Sequence, residues 1–433
     1  MSAKAIVLVA LLAAWCSAVP VDPIAWTAAL TGNNASTTAA QWIATSSSGA
    51  VVVVNGTDFV GLDASNGWAL WTATHKDIDA TSAIFAASST TLAVVVGTKV
   101  LGFNLTNGQH FGTVDISSNA VTGAITSIVV TQDLFIVAGQ DNFALIAGDL
   151  TVRYETPKTK NTAITGVSTA GNYVYYTTLF TAPTPSPAPG SGSSSFQSDS
   201  SSGFGNVASS SSSSGSTATL VIVDLSSFSE VRVDNVAQVS TTAAGGNILA
   251  VQASSPAVGS ISLATGKYVW INTDVANSLL GNSPFILLPT SDIAVIVAGA
   301  TAFALDSLAG SQLFQYNSSF TITQPTIAAG RLVFVGEQQQ GLSPLVFVDL
   351  SSGSITQQIV TPVLSTPVVI FSGVNALILN GQGYTRVNLV SQTAVSYNLN
   401  IPGADAVAAV QTSSSSTTFI FASAVATAVV ISN

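Results

Sequence analysis

The sequence predicts an all-β fold built from repeated four-stranded units, and three observations predict it. First, a short phrase recurs. It reads Leu62-Asp63-Ala64-Ser65-Asn66-Gly67-Trp68-Ala69-Leu70-Trp71, then Phe103-Asn104-Leu105-Thr106-Asn107-Gly108, then Ser262-Leu263-Ala264-Thr265-Gly266-Lys267-Tyr268-Val269-Trp270. Weaker copies are Leu305-Asp306-Ser307-Leu308-Ala309-Gly310 and Val348-Asp349-Leu350-Ser351-Ser352-Gly353. Recurrence at roughly 40 residues marks a β-propeller or a solenoid. Second, apolar runs such as Val51–Val54, Leu92–Val96, Leu134–Val137, Tyr173–Tyr176 and Leu332–Val335 alternate with Gly, Asn and Ser turns, and no segment has helical periodicity. Third, the two ends complement each other: the last unit lacks a strand and the N-terminus has one to spare.

Taken in order, the chain opens with a secretory signal. Lys4 gives the positive region, Ala5–Trp15 the apolar region and Cys16-Ser17-Ala18 a small-residue cleavage site, so residues 1–18 are expected to be removed. Modification of Cys16 as a lipoprotein is the alternative, and the bulk of Trp15 argues against it. Residues 19–433 read as one propeller domain. Its first strand, Pro23–Ala28, has no unit of its own but resembles Trp68–Ala73 and Tyr268–Ile271, the last strands of later units.

The first complete unit parses as strands A near Gln41–Thr45, B at Ala50–Val54, C at Phe59–Asp63 and D at Trp68–Thr72. Further A strands are expected near Ser82, Thr126, Gly166, Val239, Phe285, Gln324, Thr366 and Ala406. Continuous apolar B strands fit a layer buried between neighbouring blades, and the polar turn between C and D fits a hairpin at the rim. One segment, 181–217, is rich in Pro and Ser and cannot bury enough apolar surface to order itself. It interrupts a unit between Tyr173–Phe180 and Leu220–Asp224, so it is expected to be an extruded loop, with O-glycosylation as one use.

The final unit offers Ala406–Val410, Thr418–Phe421 and Ala428–Ser432 and then ends. The N-terminal strand is therefore expected to complete it, with Trp26 holding the ring together. Closure of this kind removes the open edges that template aggregation. The literal parse gives nine units; because propellers usually carry four to eight blades, eight are expected, within a range of seven to nine. An alternative takes Phe419–Ile431, after Ser413–Ser416, as a glycolipid-anchor signal, although its polar spacer is short.

Composition narrows the function classes. Charged residues are 7% of the chain, with a formal net charge of −10, against a usual ~25% charged. The Lys and Arg residues are scattered singly, which excludes nucleic-acid binding through a basic patch. Cys16 is the sole cysteine, so the mature chain can form no disulfide and must rely on core and strand pairing. Sequons at Asn34, Asn55, Asn104 and Asn317 are candidate glycosylation sites.

The phrase from Val51 to Trp71 resembles the repeat of the pyrroloquinoline-quinone-type, or quinoprotein-like, propellers, in which a strand leads to a Leu-Asp-x-x-x-Gly turn and then to a strand ending in Trp. Asp63, Gly67 and Trp71 match that pattern, and Thr265, Gly266 and Trp270 match its second half. Most other copies are degenerate. The resemblance implies the fold. The quinone-dependent enzymes of that family also use an acidic metal site and a vicinal cysteine pair, and this sequence supplies neither, so no cofactor and no metal is expected.

Candidate chemistry is sparse. Asp63, Asp224, Asp306 and Asp349 occupy one place in the repeat, where a carboxylate fixes its own turn by accepting backbone N–H bonds; metal binding is the alternative. His75-Lys76-Asp77-Ile78-Asp79 is the densest polar cluster and reads as a solvated loop, although a histidine and two carboxylates have metal-ligand chemistry. His110 shows no partner. No nucleophile elbow accompanies either histidine. The aromatics Trp26, Trp42, Trp68, Trp71, Trp270, Tyr173, Tyr175, Tyr176 and Phe180 read as packing between blades, with Trp68 directed outward. The expected function is a secreted or cell-surface, non-catalytic binding and scaffold module for protein or glycan partners. Alternatives are an extracellular structural subunit that self-assembles by strand exchange, and a degenerate quinoprotein-like enzyme.

Overall fold

The structure is a computed structural model. It describes the strands and most turns between Ile24 and Ser432, and leaves outside the description residues 1–23, 30–41, 46–49, 79–81, 117–124, 157–161, 181–217, 254–256, 276–284, 336–341, 363–368, 380–382, 399–405, 433 and one or two positions in several other turns.

Every described element is a strand. A single strand, β1 (Ile24–Ala29), precedes the units. Unit 1 comprises β2 (Trp42–Thr45), β3 (Ala50–Asn55), β4 (Asp58–Asp63) and β5 (Ala69–Thr74). Unit 2 comprises β6 (Ile84–Ala87), β7 (Thr91–Val96), β8 (Lys99–Asn104) and β9 (His110–Asp115). Unit 3 comprises β10 (Ser127–Thr131), β11 (Leu134–Ala138), β12 (Phe143–Ala147) and β13 (Val152–Glu155). Units 4 and 5 are built from β14 (Thr162–Ala170), β15 (Tyr173–Phe180), β16 (Ala218–Asp224), β17 (Ser229–Val239), β18 (Asn247–Gln252), β19 (Val258–Ser262) and β20 (Tyr268–Asn272). Unit 6 comprises β21 (Phe285–Pro289), β22 (Ile293–Ala298), β23 (Thr301–Asp306) and β24 (Gln312–Asn317). Unit 7 comprises β25 (Thr323–Ala328), β26 (Arg331–Val335), β27 (Leu342–Asp349) and β28 (Ile355–Pro362). Unit 8 comprises β29 (Val369–Ser372), β30 (Asn375–Leu379), β31 (Gly383–Asn388) and β32 (Thr393–Asn398). The last unit has β33 (Ala406–Ser413), β34 (Ser416–Ala422) and β35 (Val425–Ser432).

All described strand pairs are antiparallel, all but β1–β35 join strands consecutive in the chain, and the units lie side by side as propeller blades. Their first strands converge: β33 lies beside β2, β2 beside β6, β6 beside β10, β10 beside β14 and β21 beside β25, while β18, the second strand of unit 5, also lies beside β21. The second and third strands form the buried layers. Val51–Val54 are all buried, as are Val94 and Leu92 of β7. Such unbroken apolar runs are stable where a sheet is covered on both faces, as the sheets of units 2 to 6 are. The cores show it directly: Val52, Val54, Phe59 and Trp71 of unit 1 pack against Leu92, Val94, Phe103 and Leu105 of unit 2. The same pairing joins units 2 and 3, 3 and 4, 4 and 5, 5 and 6, and 6 and 7.

A second device locks neighbours together. The Trp71 indole Nε1–H donates to the carbonyl oxygen of Leu105 in unit 2 at 2.8 Å, and its ring lies so close over Gly108 that a Cβ there would meet it at 2.3 Å. Gly108 also sits at φ 68°, so both space and backbone demand glycine. Trp270 repeats this between units 5 and 6, donating to Ser307 O at 2.7 Å with its ring over Gly310. Elsewhere Val231 covers Gly266 and Phe314 covers Gly353. Between units 3 and 4 the partner is not glycine: Phe228, at φ 55°, stacks on Tyr154 with centroids 5.2 Å apart.

The outer strands carry a repeated bulge. Register slips at Gly61/Leu62, Gly102/Phe103, Ser260/Ile261 and Ala304/Leu305 leave Leu70, Phe111, Val269 and Leu313 as the extra residues. These four are about half exposed. Bulges bend and twist an edge strand, which makes it a poor template for pairing with another chain.

Two expectations about unit count meet in one finding. Among the described residues thirty-five strands fall into eight sheets, of which seven are four-stranded and one is seven-stranded. The large sheet holds two units that share β17. Ser229–Val233 pair with β16 as the outer strand of unit 4, and Val236–Val239 pair with β18 as the inner strand of unit 5. Nine repeats therefore occupy eight sheets. The A strand expected to begin near Val239 is the end of this longer strand. At the other end of the chain β1 pairs with β35, and the last sheet runs β1-β35-β34-β33. The apolar tail read alternatively as an anchor signal lies within β34 and β35.

Candidate functional site

The turn acids are placed where the repeat put them, at the hinge between the third and fourth strands. The Asp63 carboxylate accepts from the Ser65 hydroxyl and amide at 2.6 and 2.8 Å. Asp224 accepts from the Ser226 amide and hydroxyl at 2.8 and 2.7 Å, and Asp349 from the Ser351 and Ser352 amides at 2.8 and 3.0 Å. Asp306 accepts from the amides of Leu308 and Ala309, both at 2.8 Å. The Ser65, Ser226 and Ser351 hydroxyls, followed by the amides, hold the carboxyls of Asp63, Asp224 and Asp349 below the usual carboxylate range. Each turn is closed by the fifth residue's amide on the first residue's carbonyl, as in Gly67 N to Asp63 O at 2.7 Å and Phe228 N to Asp224 O at 2.7 Å. Asn104 takes the acid's place in unit 2, with its Oδ1 accepting from the Thr106 amide at 2.8 Å.

The two histidines converge, which sequence spacing did not show. His75 is half-buried, its ring 4.6 Å from that of Phe103 and 5.2 Å from that of Phe59. The His110 ring lies 5.2 Å from that of Phe103, and its Nε2 is 3.0 Å from Thr113 Oγ1. The reading of His75 as part of a solvated loop and of His110 as partnerless is thus corrected: packing of unit 1 on unit 2 brings both onto one aromatic ring. Burial, and then the proximity of His110, lowers the His75 pKa below its ordinary 6.5. Lys76 and Asp77 are exposed beside it, and Asp79 lies outside the described residues.

Of the sequons, Asn317 is exposed at the end of β24, with Oδ1 accepting from Gln315 Nε2 at 3.0 Å and Thr301 Oγ1 at 3.2 Å. Asn104 is half-buried in its turn. Asn55 ends β3 opposite Asp58, and Asn34 lies outside the described residues. Trp26 sits in β1 opposite Ala428 in the register; its side chain lies outside the described residues. Trp71, Trp270, Tyr175 and Tyr176 are buried between units, and Trp68 is 76% exposed.

The cavity that the sequence did not flag lies over the junction of units 4 and 5. It measures about 550 Å³. Its walls are three turns at one end of the seven-stranded sheet: Thr169–Tyr173 between β14 and β15, Asp224 and Ser226 after β16, and Thr241–Gly246 between β17 and β18. The floor is apolar, since Ala170, Tyr173 and Ala243 also pack on the core shared by the two units. Hydrogen bonds between the turns hold the walls. Leu225 N donates to Asn172 O at 2.8 Å, and Leu263 N to Gly246 O at 2.9 Å. The Ser240 hydroxyl donates to Thr242 O at 2.7 Å and accepts from Leu249 N at 3.1 Å. The cleft is open to solvent, with Asn172, Ser226, Thr241 and Thr242 exposed on its walls and the apolar residues beneath them. Alternation of antiparallel strands puts this cleft at the opposite end of the sheet from Leu179 and Ala218, which face each other across β15 and β16.

The quinone and metal chemistry that the family resemblance would imply does not fit these donors. The turn carboxylates are spread from unit to unit and committed to their own turns, and among the described residues no three His, Cys, Asp or Glu side chains come together.

Residues 23–184 match a PQQ-type family model described as "Outer membrane protein assembly factor BamB". No curated protein matches the chain by sequence. Among solved structures, a eukaryotic initiation factor superimposes with a TM-score of 0.55 at 11% identity, over 84% of this chain and 90% of that one. Dihydro-heme d1 dehydrogenase NirN superimposes with a TM-score of 0.50 at 12% identity, over 90% and 83%. The computationally designed Ika8 protein does so with 0.50 at 12%, over 81% and 96%. At these identities the likeness is one of fold, and the fold is a β-propeller.

Proposed function

We propose that this propeller with PQQ-type repeats is a secreted or cell-surface binding and scaffold module that performs no chemistry of its own. The observation that carries the reading is how its carboxylates are used. Asp63, Asp224, Asp306 and Asp349 cap the turns that carry them, so the recurring polar residues serve architecture. The same architecture braces a cleft with an apolar floor and hydroxyl-bearing walls over units 4 and 5. The signal-like N-terminus and the sequon at exposed Asn317 support export and glycosylation, and the place of 419–431 within β34 and β35 supports its retention in the mature domain over its removal as an anchor signal.

The test uses the full chain, expressed with its own N-terminus in a eukaryotic host. The expected result is protein in the medium that binds intact cells or matrix saturably and reduces no dye when given pyrroloquinoline quinone, calcium and a panel of alcohols and sugars. Quinone-dependent turnover would overturn the reading in favour of a degenerate quinoprotein enzyme. The pairing of β1 with β35 favours one second reading. A strand held only at the sheet's edge can be donated to a neighbour, giving a structural subunit that elutes as polymers in size-exclusion chromatography.

A further inference from the structure

We propose that the cleft over units 4 and 5 binds a neutral saccharide, an inference that rests on the binding reading above and supplies its ligand class. The argument begins with charge. The lining residues are Thr, Ser, Asn, Tyr, Ala and Gly with one carboxylate, Asp224, and no Lys, Arg or His. Phosphates, sulfates and carboxylates would meet a fixed negative charge and no counter-charge, so anionic ligands are disfavoured. A cationic ligand is disfavoured for a different reason. Asp224 already accepts from Ser226 N, Ser226 Oγ and Ser227 Oγ, and a single carboxylate so engaged offers a cation no second partner.

What remains suits polyols. The hydroxyls of Thr169, Tyr173, Thr241 and Thr242 and the amide of Asn172 both donate and accept. A sugar hydroxyl has the same dual character, so each contact can be made in either sense without leaving a buried group unpaired. Tyr173 supplies the one aromatic side chain of the lining, the kind of apolar surface on which the C–H face of a pyranose packs. Its position is fixed because Tyr173 is also part of the packing between units 4 and 5. The cleft's volume, about 550 Å³, falls within the ~300–1,000 Å³ of small-ligand sites. The walls are held by the backbone bonds between turns described above, so little ordering is lost on binding.

The test is isothermal titration of the intact protein with maltotriose, cellotriose, laminaritriose and chitotriose, and with a sulfated heparin tetrasaccharide. Three proteins are compared: wild type, Thr242→Trp, which fills the cleft from an exposed position, and Gln315→Ala on unit 6 as control. The expected result is that at least one neutral sugar binds wild type and control, that its affinity falls at least tenfold in Thr242→Trp with the melting temperature unchanged, and that the heparin fragment does not bind. Should Thr242→Trp lower the melting temperature, Thr241→Arg serves in its place. Equal binding by wild type and the filled variant would overturn the site. If no neutral sugar binds, yet wild type binds cells and Thr242→Trp does not, the ligand class is overturned while the binding reading stands. If wild type binds neither sugars nor cells, both fall.

Discussion

The indole N–H of Trp71 donates to the carbonyl oxygen of Leu105 in the next unit, 2.8 Å away, and the ring that carries it roofs Gly108. One residue thus satisfies a turn carbonyl, fills the gap over a left-handed glycine and joins two blades. Replacing a buried Trp by Ala costs about 3–5 kcal/mol. Trp71→Phe keeps most of the packing but leaves the Leu105 carbonyl short of its donor, which costs about 1–3 kcal/mol. Gly108→Ala should destabilise through both its φ and the ring contact. Because the clash exists only when the ring is there, Trp71→Ala with Gly108→Ala should cost less than the sum of the two. Urea unfolding of the four proteins reads this, and strict additivity would contradict the contact.

The His75 imidazole gives stability a pH dependence of known sign. Its folded pKa lies below the ordinary 6.5 because burial disfavours the charged ring and His110 adds repulsion. The folded state therefore binds the proton less readily than the unfolded state. Its contribution is whole above the unfolded pKa and is lost as pH falls from about 6.5 towards the depressed folded value. Melting temperature should fall between pH 7.5 and pH 5, and His75→Phe should flatten that part of the profile. A wild-type melting temperature that rises across the same window would contradict the burial of the neutral ring. Asp63, Asp224 and Asp349 cannot mimic the effect there, since their carboxyls are held below the ordinary 3.8.

Removal of 181–217 should leave folding intact. Leu179 and Ala218 already face each other across β15 and β16, so a short turn can join them. Changing a surface loop's length alters closure entropy only slightly. The shortened chain should melt within about 5 °C of wild type, roughly what 1 kcal/mol produces in a small domain and more than it does in a large one. A larger drop in a calorimetric scan would make the segment structural.

Much of this architecture is legible in the sequence because turns announce themselves. Asp63 with Gly67 and Asp349 with Gly353 mark the hinges between third and fourth strands, and the resemblance of Pro23–Ala28 to Trp68–Ala73 locates β1 in the final sheet. The sharing of β17 is not legible, because the bend between its halves uses Asn235 at φ 64° and presents no Gly or Pro. Phe228 hides in the same way, standing where units 1, 2, 5, 6 and 7 have glycine. The convergence of His75 and His110 depends on packing between blades, which no spacing along the chain encodes. The cleft is hidden by its own composition, since Ser, Thr and Ala turns resemble any other turn in so hydroxyl-rich a chain.

The completion of the last sheet by β1 in the same molecule is the claim on which the architecture rests. The register places Thr27 directly opposite Thr427, and residues opposed in antiparallel strands have Cα atoms about 4.5–5.5 Å apart, within disulfide range. The most direct measurement is therefore the oxidation of Thr27→Cys with Thr427→Cys in a Cys16→Ser background, read by non-reducing electrophoresis and thiol titration. The account predicts a cross-linked monomer with no free thiols. Covalent oligomers, or thiols that stay free in folded monomer, would contradict it: the first because β1 then belongs to a neighbour, the second because β1 then lies elsewhere.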